Sequence, residues 1–376
     1  MTSELRDFTI DVPQADLDDL HARLDATRWP DELPGAGWEY GVAAGHLRDL
    51  AEYWRHDFDW RAAEQRLNAL PQYLTEIDGQ TVHLVHVRSS RPDATPLLVT
   101  HGWPSTVADF LDLVRPLTAP DDVTAPAFHL VLPSLPGFGF SGPTREKGWD
   151  VPRVARAWVE LMRRLGYERY LVQGGDWGGL VAPEVARAAP RNVIGVHVNA
   201  LVTALDWTSP DPFEGLDDDS RARATATARR WQARSGYATV QSTRPQTIAY
   251  ALTDSPVGLL AWNLEWFVDY DATASEQAPI DRDAILADVT TYWLTRTSGS
   301  SARLYKESPA AFGTRPVSGV PTAVAVFPGD GPVRAVAERS NRIVRWSEFD
   351  HGGHFASLQA PDLLVDDVRA FAASLT

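Results

Sequence analysis

The turn around Asp176 constrains the fold more than any other part of this sequence. A mostly apolar run at 170–173 precedes the motif Gly174-Gly175-Asp176-Trp177-Gly178, and small residues suited to a helix follow it. The spacing predicts a strand, a sharp turn with Asp176 at its apex and then a helix, which is the layout of a nucleophile elbow. Glycines are needed there because side chains beside the apex would collide with neighbouring backbone.

A carboxylate at this apex determines which reactions the turn can support. A serine must lose a proton before it attacks, whereas an aspartate is already an anion at neutral pH. Asp176 could therefore open a strained or halogenated sp3 carbon by direct displacement and leave an alkyl ester on the protein. The alternative is an ordinary surface turn, since short motifs often match by chance.

Composition limits the class of protein. With 376 residues, of which 44% are hydrophobic, we expect one large domain with an insertion, or two domains. The net charge of −15 argues against nucleic acid or an anionic membrane as a partner. The absence of cysteine excludes disulfides, thiolate metal sites and a cysteine nucleophile. Since no run resembles a signal peptide or a membrane span, a cytoplasmic protein is expected.

From residue 81 onwards, short apolar strands alternate with helices. Runs rich in Val, Leu and Ile are typical of strands buried on both faces of a mostly parallel sheet, so an α/β fold is predicted. The predicted strands lie at 81–87, 96–100, 128–132, 170–173, 193–199, 322–327 and 343–349.

Two parts of the chain depart from this alternation. Residues 1–75 show helical spacing at 16–26 and 42–58, and we expect an extension that packs on the core. Residues 205–315 carry helical patterns without strands, such as 251–267 and 282–295.

The strand-free part predicts a helical cap over the ends of the strands, where ligands bind in such sheets. The core would then consist of residues 76–204 and 316–376, with the cap inserted between them.

Asp176, Asp330 and His354 each follow a predicted strand, in the chain order of the α/β-hydrolase triad. A carboxylate nucleophile needs no base, so His354 would instead take a proton from the water that attacks the ester. Asp330 would orient the ring and stabilise the imidazolium. An aspartate after a strand is also a common helix cap. Asp206 remains an alternative acid, whereas Asp350 is too close to His354 in sequence for an easy approach.

The loop His101-Gly102-Trp103-Pro104 follows another predicted strand. Its glycine lets backbone approach the site, so the N–H of Trp103 could pair with that of Trp177 to hold the oxyanion formed during ester hydrolysis. His101 could serve as a base, but a histidine beside glycine at a strand end favours a bond to loop backbone.

Four motifs, and the leading segment, can be compared with a known family. The motifs are His101-Gly102-Trp103-Pro104, residues 133–141, residues 173–178 and Gly352-Gly353-His354-Phe355. Together they resemble the α/β-hydrolase-fold epoxide hydrolases, in the branch of the microsomal and juvenile-hormone enzymes. Residues 8–10 and 28–30 resemble that family's N-terminal extension, so the likeness covers nearly the whole chain. It implies a mostly parallel sheet with a helical cap and an N-terminal meander, and no cofactor or metal.

The resemblance also implies two cap tyrosines that act as acids on the epoxide oxygen, and Tyr237 and Tyr305 match them. A phenol suits this task because it is protonated at neutral pH and can donate to developing alkoxide charge. Buried tyrosines can also simply pack a cap. Tyr250, Tyr270 and Tyr292 are interpreted as packing residues.

Two features depart from the family. The membrane anchor of vertebrate members has no counterpart here, so membrane attachment is not expected. The acid loop Gly329-Asp330-Gly331-Pro332 is rich in glycine where relatives tend to have bulkier residues.

The sequence therefore predicts an epoxide hydrolase, an ether-bond hydrolase that forms a vicinal diol from a small-molecule epoxide. The aromatic residues of the cap suggest a bulky or aryl substrate, in detoxification or in natural-product biosynthesis such as enediyne assembly. A homodimer is compatible with the sequence. The alternatives are a dehalogenase of the same fold, in which Trp177, Trp262 or Trp266 could bind halide, and a catalytically silent binding protein.

Overall fold

A central sheet organises the molecule. The computed structural model describes residues 5–203, 205–206 and 209–375. Within those ranges the sheet has nine strands, in the order β1-β2-β3-β5-β4-β6-β7-β8-β9. They are β1 (Arg6–Phe8), β2 (Gln72–Ile77), β3 (Gln80–Val87), β4 (Thr95–Thr100), β5 (Phe128–Pro133), β6 (Tyr170–Gly174), β7 (Val193–Asn199), β8 (Pro321–Val326) and β9 (Arg342–Glu348). Strands β4 to β9 run parallel, which confirms the predicted mostly parallel sheet.

Strands β1 and β2 were not predicted from the sequence. They extend the sheet as antiparallel neighbours of β3, so the leading segment contributes strands as well as helices. The turn Asp78-Gly79 joins β2 to β3, and both residues have positive φ values of 52° and 76°. Asp-Gly is a strong signal for a two-residue hairpin turn, and it could have revealed β2. The expected boundary between residues 75 and 76 falls inside this strand.

Helices surround the sheet and form a helical insertion between β7 and β8. In chain order they are α1 (Gln14–Asp25), α2 (Ala44–His56), α3 (Trp60–Asn68), α4 (Leu111–Thr118), α5 (Val151–Arg164), α6 (Trp177–Ala188), α7 (Asp218–Arg234), α8 (Gly236–Thr243), α9 (Pro245–Asp254), α10 (Pro256–Phe267), α11 (Arg282–Thr295), α12 (Ser298–Glu307), α13 (Arg334–Ala337), α14 (Ala356–Gln359) and α15 (Pro361–Ala373). The insertion comprises α7 to α12. None of these helices is both long and apolar enough to span a membrane.

The sheet is buried on both faces. Successive residues of β6 point to opposite sides, as the pleat of a strand requires. Leu171 packs in the apolar cluster that includes residues of α4 and α15, whereas Val172 packs in the cluster that includes residues of α5 and α6. The apolar runs of the parallel strands are explained by this double burial.

The helical pattern predicted over residues 251–267 is divided between two helices, because the chain breaks at Ser255. A proline disfavours helical geometry in the residue before it, and Ser255 is extended, with φ −116° and ψ 110°. Its side chain then accepts a hydrogen bond from the N–H of Gly258 at 3.0 Å and caps α10. Pro256 was the sequence signal for this break.

Candidate active site

Asp176 occupies the turn between β6 and α6. Its φ of 53° and ψ of −121° are unusual for a residue other than glycine and mark a strained backbone. A Cβ added to Gly174 would lie 2.2 Å from the carbonyl oxygen of Gly178, and one added to Gly178 would lie 1.9 Å from that of Thr100. The glycines that flank the apex are therefore required by space, as the motif predicted.

The loop after β4 approaches the same carboxylate. The N–H of Trp103 donates to Oδ1 of Asp176 at 2.9 Å. A Cβ on Gly102 would lie 2.3 Å from that oxygen, so glycine is what allows this approach. Trp177 is the first residue of α6, and its N–H belongs to the helix end that has no partner within the helix.

The imidazole of His354 lies between two carboxylates. Its Nε2 is 3.4 Å from Oδ2 of Asp176, and its Nδ1 is 3.1 Å from Oδ1 of Asp330. Asp330 follows β8 and His354 follows β9, so the parallel sheet brings three strand ends together. The candidates Asp176, Asp330 and His354 thus meet in one site.

Neither alternative acid has this position. Asp206 is exposed to solvent. The side chain of Asp350 is 98% exposed, and its Oδ1 lies 2.9 Å from Nδ1 of His351. The carboxyl group that contacts Nδ1 of His354 is that of Asp330.

The charge state of His354 follows from this environment. Burial by itself lowers the pKa of the imidazole, but the hydrogen bonds and charges of Asp176 and Asp330 raise that pKa to about 10. The ring is therefore an imidazolium at neutral pH. Trp266 stacks on it, with ring centroids 4.8 Å apart and an angle of 15° between the planes.

Tyr237 and Tyr305 lie side by side above Trp103 and Trp177. Their ring centroids are 5.8 Å apart; Tyr237 stacks on Trp103 at 5.0 Å, and Tyr305 meets Trp177 edge-on at 4.7 Å. Burial is the largest cause that raises the pKa of both phenols well above the ordinary value, and the charge of Asp176 adds to it. Both groups therefore remain protonated and available as donors at neutral pH.

The other tyrosines differ in environment. Tyr292 is fully buried, and its hydroxyl donates to the carbonyl of Ser105 at 3.1 Å. The hydroxyl of the half-buried Tyr270 donates to the carbonyl of Arg234 at 2.7 Å. The interpretation of Tyr250 as a packing residue is wrong, because 72% of it is exposed.

His101 bonds to loop backbone, as expected. Its Nε2 accepts the N–H of Leu135 at 3.1 Å, so Nδ1 carries the proton and donates to the carbonyl of Gly102 at 2.8 Å. Burial lowers the pKa of this imidazole to about 4. His101 is neutral and holds the loop that carries Trp103.

Several polar residues at the site had not been predicted. Asn199, at the end of β7, accepts a hydrogen bond from Gln173 at 2.9 Å and lies against Gly175. Gln277, in the helical insertion, accepts the backbone N–H of His354 at 2.9 Å. A polar residue at a strand end could have indicated Asn199, but a single glutamine between helices carries no signal.

A small cavity adjoins Asp176 and His354. Its volume is about 30 Å³, and its lining includes Ser105, Asp109 and Asn199. This is enough room for a water molecule with several polar partners. Among the described residues, no group of three or more His, Asp and Glu side chains is arranged to hold a metal ion.

The fold and the site define an α/β-hydrolase, and comparisons with known proteins agree. The family model for the alpha/beta hydrolase fold matches residues 95–361, and that for the epoxide hydrolase N terminus matches residues 5–110. Epoxide hydrolase 1 of Sus scrofa is 32% identical over 99% of this chain and 89% of its own length. The chain belongs to the epoxide hydrolase family.

Further relatives extend over the whole molecule. A protein of Stigmatella aurantiaca is 41% identical over 372 residues, which are 96% of this chain and 83% of that protein. The structure of the Aspergillus niger epoxide hydrolase has a TM-score of 0.86 at 29% identity and covers 100% of this chain and 98% of its own. The structure of juvenile hormone epoxide hydrolase from Bombyx mori has a TM-score of 0.86 at 27% identity and covers 99% of this chain and 95% of its own. These relatives do not favour the dehalogenase or binding-protein alternatives.

Proposed function

We propose that the protein hydrolyses an epoxide to a vicinal diol through a covalent ester on Asp176. The observation that carries this proposal is the surroundings of that carboxylate. A backbone N–H binds one of its oxygens, an imidazolium lies beside the other, and two buried phenols come from the helical insertion. Membership of the family supports the same reaction.

In the first step, Asp176 attacks an epoxide carbon. Oδ1 is held by the N–H of Trp103, so Oδ2 forms the new bond to carbon. The ring C–O bond breaks, and its electron pair stays on oxygen as an alkoxide. Tyr237 and Tyr305 donate hydrogen bonds to that oxygen and supply its proton.

Formation of the ester changes the charge around His354. The imidazolium loses one of its two carboxylate partners, so its pKa falls and its proton can neutralise the phenolate. The neutral ring then takes a proton from the water that attacks the ester carbonyl, while Asp330 stabilises the imidazolium that forms. The N–H groups of Trp103 and Trp177 hold the oxyanion. Collapse breaks the bond between the carboxyl carbon and the substrate oxygen, and the departing alkoxide takes the proton of the new carboxyl group. The diol leaves, and the carboxylate of Asp176 and the imidazolium of His354 are restored without net proton uptake.

We also propose a substrate class and a division of the chain. Flat rings of Trp103, Trp177 and Trp266 border the site, which favours a bulky or aryl epoxide. Both phenols belong to residues 205–315, so we assign that segment as the cap. Residues 1–75 are then the extension, and residues 76–204 and 316–376 the core.

A single turnover in 18O-labelled water tests the covalent step. With enzyme in excess over styrene oxide, the label is expected in the carboxylate of Asp176 and not in the first diol formed, because water attacks the ester carbonyl. Asp176→Ala should abolish diol formation, while Asp350→Ala, at an exposed carboxylate, should not change it. Label found in the diol alone, or halide release from a chloroalkane without diol formation, would contradict the proposal.

A further inference from the structure

The loop that carries His354 is held by the helical insertion. Gln277 and Ala278 lie between α10 and α11, and Gln277 Oε1 accepts the N–H of His354 at 2.9 Å. The N–H of Ala278 donates to the carbonyl of Gly352 at 2.8 Å. Gln359 donates from its Nε2 to the carbonyl of Ala278 at 2.5 Å. The segment is therefore bonded to the histidine loop through both backbone and side chain.

The loop that carries Asp330 is held in the same way by α7. Thr227 donates from its hydroxyl to the carbonyl of Gly331 at 2.9 Å, and Arg230 donates to the carbonyl of Gly329. The two carbonyls flank Asp330 in sequence. The insertion thus contacts both loops that determine how the imidazole and the carboxylate face each other.

The glycines of these loops provide the space for those contacts. A Cβ on Gly353 would lie 2.5 Å from Oε1 of Gln277, and one on Gly331 would lie 2.1 Å from the hydroxyl oxygen of Thr227. Neither glycine has a positive φ, so space and not backbone conformation requires them. The glycine-rich acid loop is explained by side chains of the insertion that fill it.

We propose that Gln277 and Thr227 are positioning residues for ester hydrolysis. This inference rests on the proposed function. Attack by Asp176 needs the carboxylate and the phenols, and neither of these is held by the two side chains. Attack by water needs the imidazole of His354 correctly aligned with Asp330, and a small misplacement of reacting groups has a large effect on rate. The helical insertion therefore controls the second step through the loops of the core.

The variant Gln277→Met tests this inference, because it keeps the length of the side chain and removes the acceptor. Stopped-flow tryptophan fluorescence and intact-protein mass with styrene oxide would follow ester formation and decay. Formation is expected to stay within about twofold of the wild-type rate, while decay slows about 10- to 100-fold and the ester accumulates. Unchanged formation also shows that the variant is folded. Gln246→Met, at an exposed residue of α9, is the matched control and should change neither step.

A rescue experiment tests the contact between Thr227 and Gly331. Gly331→Ala should slow ester decay because its new methyl group meets the Thr227 hydroxyl. The double variant Thr227→Ala/Gly331→Ala removes the 2.1 Å contact and leaves the Cβ of residue 227 at 3.2 Å, so decay should recover in part. Equal slowing of both steps, unchanged decay in Gln277→Met, or no recovery in the double variant would overturn the inference. A wild-type protein that forms no ester would instead contradict the proposed function.

Discussion

At the scale of single residues, His354 links the two steps through its charge. Two carboxylates within hydrogen-bonding or ion-pairing distance keep the buried ring protonated, which an ordinary buried histidine would not be. Alkylation neutralises one of those carboxylates. The imidazole thus becomes a base only when there is an ester to hydrolyse.

The pH dependence of ester formation should report this arrangement. The pKa of His354 in the free protein is about 10, so the protonated form persists through neutral pH and is lost as the pH rises through 10. Because the proton of His354 replaces the one that a phenol gives to the epoxide oxygen, the rate of ester formation should be flat near neutral pH and fall above about pH 10.

The variant Asp330→Asn should move that fall to lower pH, because one of the two carboxylates that raise the pKa is gone. Stopped-flow rates of ester formation across the pH range would measure the shift. Asp350→Asn is the matched control, since this carboxylate is exposed and contacts His351. A fall at the same pH in Asp330→Asn would show that Asp330 does not set the charge of His354.

At the scale of elements, the strand–turn–helix unit of β6 and α6 depends on close backbone approach. Gly178 lies against the carbonyl of Thr100 at the end of β4, so α6 begins almost in contact with the neighbouring strand. This packing aligns the apex with the loop of Trp103. The conformation of Asp176 is over-determined by its neighbours, which is how a strained residue persists.

The variant Gly178→Ala should therefore destabilise the protein by about 3 kcal/mol or more, since its Cβ would overlap backbone that cannot move aside. Gly236→Ala is the control, because no atom lies within 4 Å of its added Cβ and the residue begins α8. That variant should be neutral or stabilised by up to about 1 kcal/mol. Urea unfolding would measure both free energies, and similar values would refute the steric argument.

At the scale of the whole molecule, the extension, the core and the helical insertion share one apolar cluster. Leu20, Trp54, Val131, Leu264 and Val324 belong to it. A buried hydrogen bond also joins the extension to the helical insertion: Nε1 of Trp54 donates to the hydroxyl of Thr290 at 2.9 Å. The insertion is therefore held from the side of the extension as well as from the core.

Trp54→Phe should lower the free energy of unfolding by about 2 kcal/mol or more. The smaller ring leaves the buried Thr290 hydroxyl without its donor and leaves a cavity where the side chain of Trp54, which is 1% exposed, had packed. Thermal or urea unfolding would measure the loss. Trp231→Phe, at a residue that is 46% exposed, is the matched control and should stay within about 0.5 kcal/mol. Equal effects would mean that Trp54 does not join the extension to the insertion.

Local patterns in the sequence determined the sheet, the elbow and the order of the candidate site residues. Apolar runs bounded by turns specify buried strands, and the glycines beside Asp176 and Trp103 mark turns at strand ends whose backbone comes close to its neighbours. Parallel strands bring their ends to one edge of the sheet, so Asp176, Asp330 and His354 could be predicted to meet. The hairpin at Asp78 and the break at Pro256 had signals of the same local kind.

Only the tertiary structure decided the contacts between distant segments. Asp330 rather than Asp206 reaches the imidazole because loop geometry, not sequence position, sets side-chain direction. Gln277 lies 77 residues from His354 in sequence, and a glutamine carries no periodicity or spacing that points to its partner. The charge of His354 likewise depends on burial between two carboxylates, which arises only when β6, β8 and β9 are assembled.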